Sequence, residues 1–281
     1  MFDRISRSWN LVKASASVLA GDKELLLFPL VSTGVLLLVI ASFALPVVGL
    51  EMWGLGGTRG HPSPALYLVG FLFYFTHYFV IFFFNTALVG AAMLRLEGKG
   101  GTFGDGMRIA TSRLGAILGY TLIAATVGMI LKAIQERVGI IGKIIVGLLG
   151  VGWSVATFMV APVLAARDVG PIEAIKESAG LLKKTWGENL IGQAGIGAAF
   201  SFITFGVVLA GFAIVVLAIV SQSVPLIVAA IALAVLALAI TALVHSALTG
   251  IYSAALYRYA TTGEGTEAFD KSALQLAFAP K

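Results

Sequence analysis

Hydrophobic positions fall into six long runs separated by short polar segments: 25–48, 66–94, 114–131, 138–166, 190–220 and 226–257. A helix needs about 20 mostly apolar residues to cross a bilayer, so each run is long enough for one span. None carries Asp or Glu in its interior. The pattern predicts an all-α polytopic membrane protein. Its six transmembrane helices would form three hairpins within a single integral membrane domain over 1–281.

The segments between the runs have a second rhythm. Apolar residues recur at Phe2, Ile5, Trp9, Val12, Ala16 and Leu19; at Phe103, Met107, Ala110 and Leu114; and at Ile172, Ile175, Ala179, Leu182 and Trp186. Steps of three and four put each set on one helix face. Ser6, Arg7, Asn10 and Lys13 occupy the other face of the first, Asp105, Arg108 and Ser112 that of the second, and Glu173, Lys176, Glu177 and Lys183 that of the third. The expectation is an amphipathic helix in the headgroup plane before each hairpin, the first within 1–24. Aligning Asp3, Asp105 and Glu173 superposes Ile5, Met107 and Ile175, then Val12, Leu114 and Leu182; Ser8 also meets Ser178. A threefold repeat of interfacial helix plus hairpin, and three independent surface helices, both fit this pattern.

Charge supplies the orientation. Arg4, Arg7, Lys13 and Lys23; Arg95, Lys99, Arg108 and Arg113; Arg167, Lys176, Lys183 and Lys184; and Arg258, Lys271 and Lys281 all fall in one alternating set of segments. The opposite set holds only Arg59, Lys132, Arg137 and Lys143. Lys and Arg are retained on the cytoplasmic side. Both termini are therefore expected inside, with 258–281 a cytoplasmic tail, in the inner (plasma) membrane of a cell. The connection 51–65, rich in Gly and Pro, reads as an irregular outer loop, and 132–138 as a short charged turn.

Composition agrees. Charged residues make up 12% of the chain, against roughly 25% in soluble domains; such a chain needs lipid as solvent. The first run is too long for a signal-peptide core and is expected to be retained. The net charge of +5 flanks the spans, which points to membrane lipids with anionic headgroups as partners and not to nucleic acid. The absence of Cys excludes disulfides and thiol catalysis.

The opening Phe2-Asp3-Arg4-Ile5-Ser6-Arg7-Ser8-Trp9, with the following Lys-containing helix and Leu25 to Pro29, resembles an uncharacterised family of bacterial polytopic membrane proteins. Pro171-Ile172-Glu173-Ala174-Ile175-Lys176-Glu177-Ser178 is more remotely similar to a broad six-span group. That group includes the membrane domain fused to some glycerophosphodiester phosphodiesterases. The resemblance implies a six-helix membrane fold without an assigned reaction.

Few residues suggest chemistry. His61, His77 and His245 have no HExxH spacing, and Ser154 lacks a glycine-flanked nucleophile signature. Gly100, Gly101, Gly104 and Gly106 lack the Lys-Ser/Thr ending of a phosphate loop and read as a flexible connection. No catalytic residue, metal or cofactor is expected. In the second span Tyr67, Tyr74, Tyr78 and Asn85 share a face, with His77 beside it. This polar stripe either lines a headgroup cavity or solute path, or fixes packing through interhelical hydrogen bonds. His245, Thr249 and Tyr252 share a face near the cytoplasmic boundary, where a headgroup site with Arg95, Lys183, Lys184 or Arg258 is one reading and interfacial anchoring the other. Gly115 with Gly119, and Gly192 with Gly195, permit close helix approach within the chain or between copies. Trp153 should be buried in protein or face a cavity. The functional expectation is a non-catalytic membrane protein that binds lipid or a protein partner at the cytoplasmic leaflet, with a homo-oligomeric scaffold as one form. The alternative is a transporter or channel for a small or amphipathic solute, weakened because Pro29, Pro46, Pro162 and Pro225 lie near span ends and supply no mid-span break.

Overall fold

The computed structural model describes residues 13–55, 57–58, 61–184 and 186–263; at 57–58, 61–62, 184, 186–196 and 198–199 it describes the backbone alone. Most of the expected first interfacial helix, including Arg4, Arg7 and Trp9, and the tail beyond 263 lie outside the described residues. Helix α1 covers 13–21. A 3-10 turn, Lys23–Leu26, leads into α2 (Leu27–Met52). Then follow α3 (Pro64–Leu96), α4 (Phe103–Ser112), α5 (Leu114–Arg137), α6 (Ile140–Ala156), α7 (Val160–Ala166), α8 (Pro171–Lys184), α9 (Trp186–Val220) and α10 (Val224–Thr262). Six segments are long and apolar enough to cross a membrane: Lys23–Met52, Pro64–Leu96, Leu114–Arg137, Ile140–Ala166, Phe200–Val220 and Val224–Thr262. A multi-pass membrane protein follows from these lengths.

Local chemistry sets the ends. Ser63 caps α3 through the Leu66 amide, and Pro64 occupies the first helical position, where its missing N–H costs nothing. Gly263, at φ 71°, closes α10 in the left-handed region. The Gly- and Pro-rich connection between α2 and α3 is shorter than expected and partly ordered: Gly57 pairs with Pro62 and Thr58 with His61 in a two-residue antiparallel ladder. The expected turn at 132–138 is mostly helix, because Lys132, Gln135, Glu136 and Arg137 are good helix formers and extend α5.

The glycine-rich connection 98–106 is not a flexible tether. Gly101, at φ 114°, lies against the Ala91 carbonyl, where a Cβ would clash. Immediately afterwards Thr102 and Asp105 form a reciprocal capping box. Gly104 and Gly106 are helical, and Gly106 packs under the Phe28 ring.

The hydrophobic core sits at one end of the molecule. It contains Leu25 and Phe28 at the start of α2, Ala87 to Ala92 late in α3, Ile117 and Tyr120 early in α5, Val160 to Leu164 in α7, and Leu248 to Leu256 late in α10. All of these adjoin the Lys- and Arg-rich connections. At the other end Leu45, Met52, Tyr67, Ile140, Val220 and Val224 are exposed. Helix α3 is the hub, in contact with α2, α4, α5, α7 and α10.

The short helices dock on the bundle. Helix α4 lies along α3 and buries Gly106 and Ala110. Helix α8 contacts α5, α6 and α7, and buries Ala174, Ser178 and Leu182. The periodicity predicts a face through Ile172, Ile175, Ala179, Leu182 and Trp186; Leu182 is buried and Ile175 packs on the core, yet Ile172 is 60% exposed. The helix is rotated because its buried face meets protein, where a small residue and a hydroxyl are required, rather than lipid alone.

Candidate functional site

The fourth span is interrupted. Helix α6 ends at Ala156 and α7 begins at Val160. Pro162, the third residue of α7, contributes to the break: it has no N–H for the Phe158 carbonyl, and its ring crowds that group. A chain that leaves helical geometry strands backbone polar groups, which must find partners. Ser178 of α8 provides them. Its hydroxyl donates to the Ala156 carbonyl at 2.7 Å and accepts from the Met159 amide at 3.1 Å. Thr157 donates to the Trp153 carbonyl at 2.8 Å. Ser178 is fully buried. Sequence reasoning missed it as a site residue; the one available signal was a serine within a buried helical register.

Beside the break is a cavity of about 370 Å³ between α3, α5 and α6, lined by Tyr78, Phe82, Tyr120, Ser154, Thr157 and Trp153 among others. Tyr120 packs on Phe82 with ring centroids 4.2 Å apart and the planes tilted by 39°, and its hydroxyl reaches Thr157. Tyr74 donates to Tyr78 at 3.2 Å, in space left by Gly128, whose missing Cβ would lie 2.8 Å from the Tyr74 hydroxyl. Trp153 thus faces a cavity.

A larger groove, about 640 Å³, runs between α2, α3 and α10. Its polar members are Ser32, Thr33, Asn85, His245, Ser246 and Thr249; Pro29, Leu36, Ile81, Leu236 and Ile240 are among its apolar walls. The His245 ring stacks on Phe200 at 4.5 Å.

The polar stripe of the second span is therefore divided. Tyr78 belongs to the smaller cavity and Asn85 to the groove, while Tyr67 is 65% exposed near the far end of α3. His77 packs on Phe73, and its buried Nδ1 has no hydrogen-bond partner among the described residues. The Ser154–His245 pairing does not form, because the two line separate spaces. Tyr252 is buried in the core rather than anchored at an interface.

The basic candidates do not surround His245. Arg258 lies thirteen residues farther along α10, about 20 Å at 1.5 Å per residue. Its guanidinium donates to the Leu96 carbonyl at 2.7 Å, capping the end of α3. Arg95 pairs with Asp22 and donates to the Gly101 carbonyl at 2.8 Å. Both therefore serve structure, because exposed helix-end carbonyls and an almost buried carboxylate need those donors. Lys183 is exposed, and the Lys184 side chain lies outside the described residues. Arg113 pairs with Asp168 at 2.5 Å and Arg167 with Glu177 at 2.6 Å, tying the α7–α8 connection down. Glu177 holds the Arg167 guanidinium above its ordinary value. The Thr102 hydroxyl, then the Thr102 backbone amide, hold Asp105 below the usual carboxylate range.

Gly119 packs within the chain: a Cβ there would come 2.8 Å from Pro171, whereas one at Gly115 meets nothing within 4 Å. The surroundings of Gly192 and Gly195 lie outside the described residues. No group of three or more His, Asp or Glu that could hold a metal occurs among the described residues.

A model of DUF6159, a family of unknown function, matches residues 64–267. The chain belongs to this family. The matched stretch of this DUF6159 protein covers α3 to α10, and so all three walls of the smaller cavity, the α3 and α10 walls of the groove, and Ser178. The opening residues that resemble an uncharacterised membrane family precede the match. No link to the membrane domain of glycerophosphodiester phosphodiesterases emerges. No curated protein and no solved structure matches the chain significantly.

Proposed function

We propose that this DUF6159 protein is a non-catalytic integral membrane protein that holds a phospholipid in the groove between α2, α3 and α10. The depth of the polar groups carries the reading. Thirty ångströms of hydrocarbon correspond to about 20 helical residues. Counting about 20 residues inward from Pro64 of α3, from Val224 of α10 and from Met52 of α2 reaches Phe84, Val244 and Ser32. Phe84 and Ser32 line the groove, and Leu243 and His245 flank Val244 there. Asn85, His245, Ser246 and Thr249 thus stand at the level where acyl chains give way to ester and glycerol oxygens, with apolar walls beside them. The Asn85 amide has no protein hydrogen bond among the described residues, and polar groups at such depth require partners.

On this reading the charge-rich end is cytoplasmic, both termini are inside, the helices pair as three hairpins, and α4 and α8 lie at the inner interface. Their exposed lysines and arginines, Arg108, Lys176 and Lys183, favour anionic lipid nearby. Self-association through the bare outer faces is part of the same proposal. Native mass spectrometry of protein released from nanodiscs tests it. Phospholipid should remain on the wild type and decline in Asn85→Leu and Ser246→Val, but not in Leu38→Ala, which alters a lipid-facing position 71% exposed. A wild-type chain free of lipid, or adducts indifferent to both groove variants, overturns the proposal. A second reading, passage of a small or amphipathic solute, draws on the broken fourth span and its adjoining cavity; broken helices mark many transport sites.

A further inference from the structure

We propose that the cavity between α3, α5 and α6 is a binding site, separate from the lipid groove, for a small uncharged polyol-like group. Its volume, about 370 Å³, is roughly twelve times the ~30 Å³ share of one water in the liquid and lies within the range of small-molecule sites. The hydroxyl-bearing residues Tyr78, Tyr120, Thr121, Ser154 and Thr157 line it, the two threonine hydroxyls donating to the Ile117 and Trp153 carbonyls, and it includes no Asp, Glu, Lys or Arg. An ion would find no counter-charge there, whereas a molecule with several neutral donors and acceptors finds matching groups. The Ser154 hydroxyl and the Trp153 indole N–H make no hydrogen bond within the protein among the described residues, so two donors remain for a ligand. The half-buried Trp153 ring offers a flat apolar face, which suits C–H surfaces alternating with hydroxyls. Two glycines keep the space open. A Cβ at Gly150 meets only Leu131, at 3.9 Å, and one at Gly128 meets the Tyr74 hydroxyl.

Such a group has two sources: a free polyol, or the glycerol headgroup of a lipid. The chain contains no Cys, so a single introduced thiol reports cleanly. Ser154→Cys is placed in phosphatidylcholine nanodiscs and reacted with N-ethylmaleimide. Added glycerol at a concentration that fills two thirds of the sites should slow the reaction about threefold, while Leu148→Cys on the lipid-facing side of α6 is unaffected. Slowing by phosphatidylglycerol nanodiscs, with no response to free glycerol, would assign the same chemistry to a lipid headgroup. Gly150→Leu, which grows into the cavity without meeting backbone, should abolish either effect while leaving the elution profile of the folded protein unchanged. If the thiol is unreactive, Trp153 emission is read instead in a chain carrying W9F, W53F and W186F, and a shift with either probe supports the site. The proposal is overturned if neither probe changes labelling or emission, or if Leu148→Cys is slowed to the same degree as Ser154→Cys.

Discussion

Removal of one hydroxyl, in Ser178→Ala, should destabilise this protein more than its small change in volume suggests. In the native fold that oxygen holds both the Ala156 carbonyl and the Met159 amide, and Ser178 and Met159 are both fully buried. Alanine fits the space but leaves two backbone groups without partners. A buried polar group left unsatisfied costs about 1–3 kcal/mol, while interhelical hydrogen bonds in membranes are worth about 0.6–2 kcal/mol. Two such groups give a loss of about 2–4 kcal/mol, or roughly 30- to 900-fold in the folding equilibrium. Unfolding by SDS in mixed micelles, followed by tryptophan emission, measures it. Ser17→Ala is the control: Ser17 is exposed and its hydroxyl donates only to the Ala14 carbonyl of its own helix, so its effect should stay within about 0.5 kcal/mol. Hydrogen exchange at the Met159 amide should accelerate in Ser178→Ala. A variant within about 0.5 kcal/mol of wild type, with Met159 still protected, would show that the break does not depend on α8.

Three other perturbations follow. Arg95→Met strands the almost buried Asp22; because Arg95 keeps a quarter of its surface exposed, the loss should be about 1–3 kcal/mol, below that of a fully buried pair. Adding Asp22→Asn should then cost much less than it does alone, a coupling that a double-mutant cycle detects. Gly101→Ala combines strained backbone, worth about 1–3 kcal/mol, with a clash on the Ala91 carbonyl. Gly98→Ala, at φ 71° with open space, should cost only about 1–2 kcal/mol, and the order of their unfolding midpoints checks this. Finally, Asp105 titrates below its ordinary range when folded, so its contribution is complete above the unfolded carboxylate value, near pH 4, and disappears as pH falls through the lower folded value. Thr102→Ala should move the Asp105 titration upward, read by carboxyl carbon chemical shifts; an unchanged titration would refute the capping-box cause.

The six spans were legible because a bilayer demands runs of fixed length without charge, a constraint that appears residue by residue. The short helices α4 and α8 were legible as helices from their apolar steps of three and four residues. The docking of α8 was not. Periodicity weighs hydrophobicity: it includes Ile175 and Leu182, which do pack, but also Ile172, which is exposed, and it passes over Ser178, whose value lies in two backbone atoms some twenty residues away. The break is marked in the sequence by Pro162, which leaves the Phe158 carbonyl without its helical donor, although Thr157, Phe158 and Met159 are themselves ordinary helix residues in an apolar run. The Tyr74–Asn85 face illustrates a different limit. Four residues on one stripe were correctly placed on one helix, but which neighbours they meet depends on α2, α5, α6 and α10, and those divide the stripe between two spaces. Likewise Arg95 and Arg258 read as candidates for a headgroup site because their partners, Asp22 and the Leu96 carbonyl, are distant in the chain or belong to the backbone.

Helix α10 has 39 residues, about 58 Å at 1.5 Å per residue, nearly twice the ~30 Å of hydrocarbon. If the boundary lies near Val244, as proposed above, its last eighteen residues stand clear of the acyl chains, and they contain most of the tightly packed positions of that helix. On that proposal the densest part of the molecule is in effect a small water-facing domain raised on stilts. Its cohesion comes from excluding water, a force that is absent between helices surrounded by lipid. Heat capacity changes on unfolding should therefore originate mainly in this cap, and detergents that loosen the spans should leave it standing.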